Sequence, residues 1–93
     1  MYLYVVDKRK NQTLVNLEVA DGIKYDVSDH IISASTYSTT GSKYYKDVEE
    51  GAARFKDIIK AEVSGKVRVY DMQKPIGYWE PKPKAAQKAA PKE

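Results

Sequence analysis

The chain opens on strand-like alternation. Tyr2–Val6 is β-branched and aromatic, and Thr13–Val19 sets Val15, Leu17 and Val19 against Asn16 and Glu18. Asp21-Gly22 comes next, a dipeptide that accepts positive φ at both turn positions. It predicts a two-residue hairpin joining the second strand to a third over Ile23–Val27. His30–Tyr37 is compatible with a fourth strand, whereas Ser38-Thr39-Thr40-Gly41-Ser42 reads as loop, because hydroxyl side chains compete for backbone hydrogen bonds.

The period then changes. Val48, Ala52, Phe55, Ile59 and Val63 form one apolar stripe on a helix from Asp47 to Ser64, with Ile58 at its margin and Glu49, Lys56, Asp57 and Lys60 away from it. Asp47 is the expected N-cap, with Ser42 the competing start; Glu49 and Glu50 suit the first turn, and Gly65 is the expected stop. Glu50 and Arg54 are spaced for an i,i+4 ion pair. Gly51 costs the helix about 1 kcal/mol relative to alanine; with Ala52 and Ala53 it forms a small-residue patch open to close approach by another backbone, but it is read as tolerated by a helix held through its apolar face. In Lys66–Met72 the alternation returns, with Val67 and Val69 inward and Arg68 and Tyr70 outward. Gln73-Lys74-Pro75 breaks it, and Ile76–Trp79 reads as a short edge strand. The order predicts an α+β fold: an antiparallel sheet of four to five strands with one helix packed on one face. Residues 1–80 form the expected domain. Residues 81–93, PKPKAAQKAAPKE, hold no large apolar side chain and are expected to be a disordered Lys/Pro/Ala-rich tail.

Charge sharpens that division. Residues 1–80 carry twelve Lys/Arg and twelve Asp/Glu, so the net charge of +3 comes wholly from Lys82, Lys84, Lys88 and Lys92 against Glu93. The Lys-Pro-Ala composition of the tail resembles the basic tails of linker histones and of some bacterial chromatin proteins. The absence of cysteine excludes thiol catalysis and zinc sites built on thiolates. Met1 runs into an apolar stretch cut at Asp7-Lys8-Arg9-Lys10, far short of the ~20 residues that span a bilayer. The expectation is a soluble cytoplasmic protein with no membrane partner.

Candidate chemistry is sparse. Ser28, Asp29 and His30 bring a hydroxyl, an acid and the single histidine together, but sequence neighbours do not supply triad geometry, and the cluster reads as a turn. Asp26, Asp29 and His30 lack further ligands for a metal, and the five glycines are isolated, with no phosphate loop. No enzyme activity, catalytic residue, metal or cofactor is expected.

The eight tyrosines exceed what a core of this size needs. With Leu3 and Val5 inward, Tyr2 and Tyr4 join Tyr70, Lys24 and Arg68 on the uncovered side of the sheet. Aromatics interleaved with cations stack bases and meet phosphates. The leading expectation is therefore a small auxiliary protein that binds DNA or RNA weakly and non-specifically. Tyr2, Tyr4, Lys24, Arg68 and Tyr70 form its sheet surface, and Lys8, Arg9, Lys10, Lys82, Lys84, Lys88 and Lys92 meet phosphates. The alternative is a protein-interaction module, a regulator or inhibitor of a larger enzyme, docking through the open sheet or an edge strand, with a dimer compatible. In a third arrangement Tyr78-Trp79 folds back over that face.

Overall fold

The computed structural model of the protein describes residues 1–80, so the expected tail lies outside the described residues. The α+β class holds. The single sheet, however, is replaced by two three-stranded sheets, formed by six strands.

The first sheet contains β1 (Tyr2–Val6), β2 (Gln12–Asn16) and β6 (Val69–Asp71), in the order β2-β1-β6. β1 and β2 are antiparallel, with Leu3 opposite Val15, while β6 runs parallel to β1, with Leu3 beside Tyr70. Leu3, Val5, Val15 and Tyr70 are buried on the inner face. Tyr2, Leu14 and Val69 stand exposed on the other. The sixth strand thus has the register opposite to that predicted: Tyr70 and Met72 enter the core and Val69 faces outward. The larger apolar area of a tyrosine ring, with partners for its hydroxyl inside, outweighs that of a valine.

The second sheet contains β3 (Ile23–Asp26), β4 (Ile31–Ser35) and β5 (Thr40–Tyr44), all antiparallel and in chain order. The predicted pairing of the second strand with the third does not form, because β2 pairs with β1 and β3 with β4. Asn16 ends β2 locally: its Oδ1 accepts from Glu18 N at 3.0 Å and its carbonyl from Val19 N at 3.2 Å. Gly22, at φ 149°, then turns the chain into the second sheet, and Val19 is left exposed. The segment with loop composition, Ser38–Ser42, supplies three of the five residues of β5. Thr36 Oγ1 accepts from Ser38 N and Thr39 N, which confines the hydroxyl-rich turn to a few residues. Gly41 carries β5 across the first hairpin, where an added Cβ would lie 2.9 Å from Val15 Cγ2 and 3.2 Å from Val5 Cγ2.

The helix, α1, spans Val48–Ser64. Asp47 caps it, accepting from Glu49 N at 2.9 Å, and Gly65 ends it at φ 69°, as the sequence predicts. Its rotation differs from the prediction. Gly51, Asp57, Ile58 and Ala61 are buried, while Val48, Ile59 and Val63 are exposed. At about 100° per residue, the buried arc is centred roughly a third of a turn from the apolar stripe. The cause lies at Gly51. Tyr25 from β3 crosses the helix there, its Oη donating to Val48 O at 2.9 Å and its ring 6.2 Å from that of Phe55. Any Cβ at position 51 would meet Tyr25 Oη at 2.5 Å. A side chain at position 51 would therefore have to displace the Tyr25 ring, so packing favours glycine there beyond mere tolerance.

Asp57, expected on the solvent side, is the one buried charged residue among those described. Its Oδ2 accepts from Tyr70 Oη at 2.6 Å, Gly77 N at 2.9 Å and Trp79 Nε1 at 3.1 Å. Arg54 turns away from the expected pair with Glu50 and donates to Tyr70 Oη at 3.0 Å. Residues 76–79 form turns rather than an edge strand. They fold back, though onto the rim of β6 and the helix instead of the outer face. Tyr78 Oη accepts from Asp71 N at 2.6 Å and donates to Val69 O at 3.2 Å, satisfying backbone groups that a strand edge would otherwise expose.

Candidate nucleic-acid interface

Lys8, Arg9 and Lys10 form the tip of the β1–β2 hairpin. Asp7 builds this turn: its Oδ1 accepts from Arg9 N and Asn11 N, both at 2.9 Å, and its Oδ2 from Asn11 Nδ2 at 3.3 Å. These bonds, above all that from the Asn11 backbone, hold the Asp7 carboxyl below its ordinary pKa. Lys10 takes φ 72°, closing the loop with a left-handed residue. Lys8, Arg9 and Lys10 are all exposed at this tip, around the ionised Asp7 carboxylate.

Beside the tip lies a cleft of ≈ 340 Å³, lined by Asp7, Lys8, Ile31, Ser42, Lys43 and Tyr44. Tyr44 is 58% exposed, and its ring lies 5.7 Å from that of His30, tilted by 33°. His30 is itself fixed at φ 62°, with Nδ1 3.0 Å from Tyr45 O and its carbonyl accepting from Tyr45 N at 2.8 Å. The lone histidine thus holds a strand end and backs an exposed tyrosine. Lys43 extends along the first hairpin and donates from Nζ to Val6 O at 3.2 Å. The sequence carried a signal for this site in Lys43-Tyr44-Tyr45-Lys46, where aromatics sit between cations. That signal is weak in sequence, because the segment lies between a hydroxyl-rich stretch of loop composition and the start of a helix.

The other predicted surface residues are dispersed. Tyr70 is fully buried, so it cannot stack a base. Burial, and then its bond to Asp57, raise the Tyr70 hydroxyl far above its ordinary pKa. Lys24 lies on the second sheet, opposite Ser33 of β4, away from Tyr2 and Tyr4 on the first. Tyr4 Oη donates to Gln12 Oε1 at 2.8 Å. Tyr2 and Arg68 do share a cleft, of ≈ 420 Å³, but Glu18 and Glu62 also line it and make it a poor place for phosphate. Lys82, Lys84, Lys88 and Lys92 lie outside the described residues.

Among the described residues no cluster of three or more His, Asp or Glu side chains is placed to hold a metal ion. No described helix is long and apolar enough to cross a membrane. No protein-family model matches the chain, and no curated protein or solved structure does either.

Proposed function

We propose that the protein is an auxiliary nucleic-acid-binding protein, acting without catalysis, that meets phosphates with the β1–β2 tip and stacks a base on Tyr44. The observation that carries this reading is the shared cleft of Lys8, Lys43 and Tyr44 beside Arg9 and Lys10. An exposed ring backed by His30 gives a base a firm platform, worth about 1–3 kcal/mol per stacked base. The neighbouring cations, with Lys82, Lys84, Lys88 and Lys92, supply the salt-dependent, sequence-independent part of the affinity.

Fluorescence anisotropy of the full chain with labelled single-stranded and duplex DNA, across salt concentrations, tests the reading. Tyr44→Ala is expected to weaken single-strand binding by about 5- to 150-fold and duplex binding much less. Replacing Lys8, Arg9 and Lys10 together by Ala is expected to reduce the single-strand salt slope by about 2. Binding that ignores both changes and disappears when the four tail lysines become Gln would remove the cleft from the account. No binding at low salt would retire nucleic acid altogether. A second reading, docking to a protein partner, is favoured by the uncovered face of the first sheet, where Tyr2 and its neighbour Val69, and Leu14 opposite Tyr4, are exposed.

A further inference from the structure

The helix stripe that the core leaves unused borders a second, very different cleft. It measures ≈ 170 Å³ and lies between the β2–β3 connection and the C-terminal half of α1. Its walls are Leu17, Ile23, Ile58, Ile59 and Val63, and the one charged side chain lining it is Glu62. Ile59 and Val63 remain 41% and 80% exposed at its rim. That volume suits one large aliphatic side chain, and the walls offer it no hydrogen bond.

The charges around the cleft indicate what should flank that side chain. Glu62 lines it, and Glu18 and Asp21 are exposed on the connection that forms one wall. The last turn of α1 has no basic residue to offset its carbonyl end, which carries partial negative charge. Lys60, one turn back, is bound to Glu80 at 2.8 Å. The amine of Met1 is ion-paired with both Glu18, at 3.8 Å, and Glu62, at 3.9 Å, and so offsets one of these three carboxylate charges. Residues 81–93 contain no large apolar side chain and so cannot fill the cleft.

We infer that this cleft is a docking site for a partner protein segment that inserts one aliphatic side chain flanked by Lys or Arg. The aliphatic walls supply affinity and the acidic rim supplies selection against acidic segments. The site is separate from the Lys8–Lys43–Tyr44 cleft and shares no residue with it, so the protein can hold a nucleic acid and a partner at once.

Methyl NMR of the full chain, titrated with three capped peptides, tests the inference: acetyl-Leu-Lys-Lys-amide, acetyl-Ala-Lys-Lys-amide and acetyl-Leu-Glu-Glu-amide. The first is expected to shift the methyls of Leu17, Ile23, Ile58, Ile59 and Val63 saturably, with affinity on the order of millimolar for so small a ligand. The Ala peptide should bind about tenfold more weakly, and the Glu peptide about two- to fivefold more weakly. Glu62→Gln should shrink the preference for Lys over Glu, and Val63→Lys, at an exposed position, should abolish the cleft shifts in a chain that stays folded. Equal binding of all three peptides, shifts centred on Leu14 and Val69, or no shifts at ~10 mM peptide would overturn the inference. Concentration-dependent shifts of the same methyls without peptide would assign the cleft to a second copy and overturn it equally.

Discussion

Asp57→Ala is the most informative single change. Asp57 Oδ2 gathers three donors: the Tyr70 hydroxyl from β6, the Gly77 amide and the Trp79 indole. Removing the carboxylate strands all three, and stranding a buried donor costs about 1–3 kcal/mol. Tyr70 is fully buried and bears the full penalty, while Gly77 and Trp79 are half-buried and recover part of theirs from water. The Tyr70 hydroxyl, left without its acceptor, still accepts from Arg54 at 3.0 Å. The expected loss is about 3–4 kcal/mol, within the range for removing one partner of a buried charged network. For a chain of this size that is roughly 12 °C or more in Tm, and a large part of a typical total stability. Urea denaturation gives the magnitude. Trp79 is the single tryptophan, so its emission reports separately whether residues 76–80 leave the helix. Asp57→Asn, which keeps the shape and one acceptor, should cost about half as much. A loss under about 1 kcal/mol for Asp57→Ala, with Trp79 emission unchanged, would refute the assignment of Asp57 as the anchor of that segment.

Two further outcomes follow from local geometry. Gly51→Ala should destabilise by about 1–2 kcal/mol despite the better helix propensity of alanine, because the new Cβ displaces the Tyr25 ring and breaks its bond to Val48 O; thermal melts of Gly51→Ala with and without Tyr25→Ala check this, and the cost should vanish in the double variant. Asp7 and Asp26 both have pKa values lowered on folding, Asp7 chiefly by the Asn11 amide and Asp26 chiefly by the Ser28 hydroxyl. A carboxyl with a depressed folded pKa adds stability above its unfolded value, near 4, and loses it as pH falls through the folded value. Unfolding titrations between about pH 2 and 6 should therefore show stability declining below pH ~4, with a shallower decline in Asp7→Asn.

Part of this architecture was legible because its causes are local. Asp47 and Gly65 bound the helix through bonds to residues two or three positions away, so their side chains and backbone freedom mark the ends unaided. The basic tip follows from Asp7 and Asn11 closing a short turn around Lys8–Lys10. In β1, one of two possible registers held, with Leu3 and Val5 inward and Tyr2 outward. Asp21-Gly22 misled because a dipeptide suited to a hairpin does not choose the partner of the strand it follows.

What the sequence determined by itself was thus the kind and extent of most elements, the balanced charge of residues 1–80 and the cationic segment after them. Propensity, capping and composition act within a few residues of each other. The tertiary structure alone decided which strand paired with which, and which face of the helix was buried. Tyr25 reaches Gly51 across 26 residues, and Tyr70 and Trp79 reach Asp57 across 13 and 22. Only those contacts favour a glycine and make a buried carboxylate stable, and only the crossing of β5 over the first hairpin brings Tyr44 beside Lys8. Such pairings depend on the volume and hydrogen-bond partners available once the sheets meet, which no local pattern encodes.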